Sequence, residues 1–202
     1  MNEVQSHGID FEDLKIRELT GLSKNEYDKL KSNGYTSSFD LVKGIMVNYN
    51  GSIKSTGKNS IDCADILKRM KETEYTFIVG CYNQKDNNKV FHTEYKFYIL
   101  PEHYKLLWGD MKYELVEQYA NKIKSIEEGR EAQKKYQLVK NQWKSEVKCD
   151  RALFSINPKV DSKNQRRVQC SVKLDKMLSS GIKYIKRDIN IIIQSSRRKF
   201  KK

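Results

Sequence analysis

Apolar residues recur from Phe11 to Leu30 at the spacing of one helix face: Phe11, Leu14, Leu19, Leu22, Tyr27 and Leu30. Gly21 and Ser23 interrupt the run, supplying a break and a new N-cap. Asn33-Gly34 ends it. From Ser38 to Val47 the composition is strand-like, and Asn48-Tyr49-Asn50-Gly51 reads as a hairpin turn, because Asn-Gly readily takes positive φ. A short strand, Ser52–Thr56, follows. Ser60 or Asp62 caps a predicted helix through Met70, with Ile61, Ala64, Ile66, Leu67 and Met70 as its apolar positions. Thr76–Tyr82 is a near-continuous apolar run, the mark of a strand buried on both faces.

Beyond a polar turn at 84–89, Val90–Leu100 is another strand. Pro101 opens a helical region that runs, with breaks at Gly109 and Gly129, to about Val147. Ala152–Ile156 and Arg167–Val172 are two more strands joined by the polar stretch Asn157–Gln165, and Ile189–Gln194 is strand or helix. This order predicts an α/β or α+β fold in which a mixed central sheet is flanked by helices. A chain of 202 residues suits one domain. It divides into a core over about 11–100, a helical segment over about 101–147 and a C-terminal part over about 151–202.

Composition narrows the functional classes. Twelve Tyr, seven Phe and two Trp argue for a packed core rather than a disordered chain. No apolar run is long enough to span a bilayer, and the first residues lack the basic flank and apolar stretch of a signal peptide. No membrane association and a cytoplasmic location are therefore expected. Cys63, Cys81, Cys149 and Cys170 are dispersed and lack zinc-ligand spacing, so buried free thiols are expected. Charge is distributed very unevenly. Residues 151–202 hold 15 Lys and Arg against three acids, which accounts for nearly all of the net +13. Concentrated positive charge selects a polyanion. It continues inward from the tail Arg197–Lys202, which favours nucleic acid over an anionic membrane.

The candidate chemistry is Asp40 with Ser52-Ile53-Lys54. Residues two apart on a strand share a face, so Ser52 and Lys54 project together. Folding this strand back along the Asp40 segment brings an acid and an amine to one end of a ribbon. Phosphodiester hydrolysis uses such groups: carboxylates for a hard cation such as Mg²⁺, and an ammonium for developing charge. The pattern Asp40…Ser52-Ile53-Lys54, followed by a helix and a buried strand, resembles the PD-(D/E)XK nuclease superfamily, especially type II restriction endonucleases. Residues 11–82 reproduce the order of that restriction-endonuclease-like core: helix, hairpin, helix, strand.

The resemblance implies Mg²⁺ held by Asp40 and a second acid, with Lys54 assisting the water. Two positions depart from the family pattern: Ser52 stands where an acid is usual, and Phe39 replaces proline before Asp40. Some family members carry Ser-x-Lys with the carboxylate relocated to the next helix, which points to Asp62 or Asp65. Glu94-Tyr95-Lys96 also matches acid-x-Lys, with Asp86 upstream, but no buried strand follows promptly. Glu18 on the first helix is a further acid that could approach the metal.

Lys159, Lys163, Asn164, Gln165, Arg166, Arg167 and Gln169 form a polar, basic stretch suited to phosphates and base edges. Lys58 and Asn59, just past Lys54, are a second candidate contact. Aromatics of the helical region (Tyr104, Trp108, Tyr113, Tyr119, Tyr136, Trp143) suit core packing or a homodimer interface, and a two-fold protein pairs with palindromic sites. The expectation is a Mg²⁺-dependent, site-specific endonuclease of double-stranded DNA. The alternative is a non-catalytic basic DNA- or RNA-binding protein.

Overall fold

The computed structural model describes residues 6–34, 37–127, 129–146, 151–160 and 166–194. Their elements run α1 (Ser6–Thr20), α2 (Lys24–Leu30), β1 (Gly51–Thr56), β2 (Ser60–Asp65), α3 (Ile66–Met70), β3 (Tyr75–Lys85), β4 (Asn88–Ile99), a 3₁₀ turn (Pro101–His103), α4 (Tyr104–Trp108), α5 (Tyr113–Lys124), α6 (Ala132–Glu146), β5 (Phe154–Val160), β6 (Arg166–Lys173), α7 (Leu174–Leu178) and β7 (Tyr184–Gln194). The fold is α+β, with two sheets flanked by helices. Two compact units interleave along the chain: residues 1–61, 74–99 and 182–202 form one, and residues 62–73 and 100–181 the other. The C-terminal part is thus shared, because β7 returns to the first unit.

The first unit carries a mixed four-stranded sheet in the order β1-β3-β4-β7. β1 lies parallel to β3, while β3–β4 and β4–β7 are antiparallel. The break expected after α1 is present, since Ser23 closes a capping box with Glu26 at the start of α2. Asp13 ties the two helices together by accepting the Lys24 backbone N–H at 2.6 Å. Phe11, Ile16, Tyr27, Leu41, Ile53, Ile78 and Phe91 form the core between helix and sheet. Phe11 stacks on Phe91 with ring centroids 4.5 Å apart. The tip of its ring also abuts Gly80, where a Cβ would overlap it. Glycine on the buried strand β3 therefore sets how closely α1 approaches the sheet, and with it the position of the next residue, Glu12.

Two elements differ from the sequence expectation. The 38–47 segment is no regular strand: a single antiparallel bridge links Leu41 to Gly51. The turn falls inside the segment instead of at Asn-Gly, with Gly44 at φ 90° and Met46 at φ 59°. Leu41 is buried and Val42, Ile45 and Val47 are half-buried, and the Tyr27 hydroxyl holds the turn by accepting from Val42 N–H and donating to the Ile45 carbonyl, each at 3.0 Å. The predicted 60–70 helix is instead β2 followed by the short α3. Ile61 and Cys63 are buried while Asp62 and Ala64 are exposed, a period of two. Pairing with β6, about a hundred residues on, overrides the helical pattern.

The second unit holds a three-stranded sheet, β2-β6-β5. Its helical region follows the expected breaks, with Gly109 at φ 59° ending α4. Trp108 stacks on Phe154 and Tyr119 on Trp143, at 4.6 Å and 4.4 Å. These rings are buried inside the unit, so they serve its core and not an exposed dimer face. The terminal element left open between strand and helix is the strand β7. Cys63, Cys81 and Cys170 are free and buried. No described helix is long and apolar enough to cross a membrane.

Candidate active site

β1 is the edge of its sheet, and its N–H groups on that side need acceptors. Asp40 supplies one. Its Oδ2 accepts the Ile53 backbone N–H at 2.6 Å, receives the Lys54 ammonium at 3.1 Å and lies 3.5 Å from the Ser52 hydroxyl. The backbone bond fixes the carboxylate against the strand, so the acid and amine are brought together without a regular hairpin. Ser52 is fully buried, while Lys54 and Asp40 keep 21% and 19% of their side-chain surface exposed. Ser52 is thus a packing neighbour of Asp40, whereas the Asp40–Lys54 pair remains open to a ligand.

Glu12 of α1 is the second acid at this place. Burial and the Asp40 charge push its pKa up to about 7, against the opposing pull of Lys24 and Lys54. Lys24 bridges Glu12 and Asp28, at 2.9 Å to each. Burial works against the Lys24 charge, but the two carboxylates outweigh it and raise its pKa. The Glu12 and Asp40 carboxylates repel each other, and the ammonium groups of Lys24 and Lys54 offset that repulsion.

Asp62 and Asp65 were expected on one helix face as ligands. Asp62 lies in β2 and accepts the Ala64 N–H at 3.0 Å, while Asp65 caps α3 by accepting the Lys68 N–H at 3.0 Å. Both belong to the second unit from position 62 onward, and both carboxylates serve local backbone there. Among the described residues no group of three or more His, Cys, Asp and Glu is arranged to hold a metal. The site therefore offers a pair of carboxylates, Glu12 and Asp40.

Sequence reasoning missed Glu12 and named only Glu18 on this helix as an acid that could approach the metal, though a signal was present. At about 100° per residue, Glu12 falls within the arc of Phe11, Ile16 and Leu19, while Glu18 lies at its rim. A lone acid inside a buried stripe is the informative one. Glu18 instead meets Lys15 at 2.7 Å and Arg187 at 3.1 Å. Burial opposes its charge, but these cations hold its pKa below the usual range. The competing Glu94-x-Lys96 pair is divided between other partners. Glu94 pairs with the buried Lys15 at 2.6 Å, and Lys96 sits 4.6 Å above the Tyr49 ring. Asp86 is in the exposed β3–β4 turn at φ 48°.

Of the expected DNA contacts, Lys58 and Asn59 are exposed in the loop leaving β1, which Thr56 holds by accepting the Lys58 N–H at 3.1 Å. Lys159, Arg167 and Gln169 lie on β5 and β6. Arg166 points elsewhere, donating to the Ile126 and Glu127 carbonyls at 2.7 Å and 3.0 Å, where it satisfies backbone groups just past α5. Lys163, Asn164 and Gln165 lie outside the described residues, as do Cys149 and the basic tail. Comparison with protein-family models, curated proteins and solved structures returned no match.

Proposed function

We propose that this chain is a Mg²⁺-dependent endonuclease that hydrolyses double-stranded DNA at a specific site as a homodimer, like the type II restriction endonucleases it resembles. The observation that carries the reading is the contact of Lys54 with Asp40 at 3.1 Å, next to a second acid with a raised pKa. Further support comes from the element order. Helix α1, the Asp40 segment bridged to β1, and β3 parallel to β1 are compatible with a restriction-endonuclease-like order, although β2 and the short α3 stand where that order has a helix.

Glu12 and Asp40 would hold the ion, since Mg²⁺ takes one or two carboxylates and fills its remaining positions with water and phosphate oxygens. When bound it polarises the phosphate and acidifies a water. The Ile53 N–H keeps Asp40 aimed at the site, so no side-chain reorganisation is needed there. Lys54, on the same strand and partly exposed, places its ammonium where negative charge develops. Lys24 restrains Glu12 from the far side. The hydroxyl of Ser52 cannot replace a carboxylate ligand, and Glu12 makes that replacement unnecessary.

Supercoiled plasmid incubated with Mg²⁺ should be linearised, and EDTA should stop it. Lys54→Ala should lower cleavage by roughly a hundredfold or more while leaving DNA binding intact. Cutting at the wild-type rate by both Lys54→Ala and Asp40→Asn would remove the site assignment. An intact plasmid in every divalent metal would leave the alternative, a basic nucleic-acid-binding protein.

A further inference from the structure

The β5–β6 pair carries a second feature, independent of the Asp40 centre. Its register sets Ser155 opposite Ser171, Asn157 opposite Gln169 and Lys159 opposite Arg167, so all six side chains share one face. The other face holds Phe154, Val168, Cys170 and Val172, all buried in the core of the second unit. Neither strand contains an acid. On the neighbouring strand Asp62 turns a carboxylate oxygen back onto its own backbone. Lys159, Arg167 and Gln169 have no side-chain hydrogen bond or ion pair among the described residues, and the two cations are exposed. Like charges placed directly across an antiparallel pair destabilise it. Two exposed cations on adjacent strands, with no ion-pair partner among the described residues and beside two carboxamides, form a face that is complementary to an anion presenting hydrogen-bonding groups.

We infer that this face is the DNA-reading surface, with the β5–β6 ribbon lying in the major groove of duplex DNA. A two-stranded ribbon fits a groove about 12 Å wide, and base edges there offer acceptors and donors in a sequence-dependent pattern. Arg167 suits guanine O6 and N7, and Gln169 suits adenine N6 and N7. Lys159, one pair in from the Val160–Arg166 end of the ribbon, takes a phosphate. Arg166 faces the opposite side and has no part in reading. The inference rests on the proposed DNA partner but not on cleavage, so its test avoids catalysis.

Binding is measured in EDTA, where metal-dependent cutting is absent, on short synthetic duplexes. Lys159→Ala/Arg167→Ala should weaken DNA binding at least tenfold and make the log–log salt dependence shallower by about one to two, the loss of one or two phosphate-type contacts. Its thermal melting should match or exceed that of the wild type, because a repulsive pair is relieved. Lys85→Ala/Lys105→Ala removes the same charge from other exposed positions and should change binding less than threefold. Equal losses in the two double variants would reduce the effect to bulk charge and overturn the inference. Duplex RNA, whose major groove is too deep and narrow to read, should bind at least tenfold more weakly. Equal affinity for RNA would overturn the choice of DNA. Selection from a randomised duplex pool should return a site that Arg167→Ala relaxes at one position. An unchanged site, or none with the wild type, would remove base reading from this face.

Discussion

With its pKa pushed up to about 7, Glu12 holds a proton in the folded chain that the unfolded chain releases near 4.5. Between those values the folded state binds more protons, so this residue's contribution to stability falls as pH rises and is lowest above 7. In EDTA, the wild type should lose on the order of 2–3 kcal/mol relative to Glu12→Gln between pH 4 and pH 8, read by urea unfolding of both proteins. A constant difference between the two would place Glu12 away from Asp40's charge. Because a metal binds the deprotonated form, Mg²⁺ affinity should rise with pH through about 7, and calorimetry of Glu12→Gln should show that rise abolished. Asp65 is the contrasting acid. Its replacement by Ala should cost about 1 kcal/mol through loss of the α3 cap and leave Mg²⁺ affinity unchanged. A tenfold fall in that affinity would restore it as a ligand.

Among the elements, α1 and β3 together decide whether the site exists. Gly80 permits the close seat of Phe11, and Glu12 follows Phe11 on the same helix. Gly80→Ala must displace that ring from a packed core, at a cost of about 2 kcal/mol. It should weaken Mg²⁺ binding as well, although position 80 contributes no side chain to the site. Calorimetry on the folded variant separates the two effects, and unaltered affinity would show that Glu12 is placed by other contacts. The helices α1 and α2, the buried β3 and the strand β4 were legible because their periodicity and caps are local. The 38–47 segment and β2 were not. Val42 and Ile45 resemble strand residues because they are apolar and half-buried, yet the Tyr27 hydroxyl holds their backbone in a turn. Ile61 and Cys63 fit a strand only when β6 is there to pair with it.

For the molecule as a whole, the governing quantity is charge. With nearly all of the net +13 contributed by residues 151–202, DNA binding should weaken steeply with salt as displaced counterions return to the duplex. Competition between duplex DNA and anionic vesicles at equal salt, followed by fluorescence anisotropy, should leave the DNA bound. Displacement by the vesicles would redirect the positive charge toward a membrane surface. The same balance accounts for the polar face of β5 and β6, where the only charges are positive.

Composition, charge placement, the helical stripe of α1 and the strand spacing of Ser52 and Lys54 follow from neighbouring residues, because they depend on local backbone periods and on side-chain type. The partnership of Asp40 with Lys54 was also foreseeable, since a short return of the chain joins them, whereas the bond from the Ile53 N–H that fixes Asp40 was not. Which further acid stands beside them was not. Asp62 and Asp65 were the acids expected there, whereas Glu12 takes its place because the ring of its neighbour Phe11 fits against a glycine from a distant strand. Close packing between residues far apart in the chain has no local signature, so only the folded molecule could make that selection.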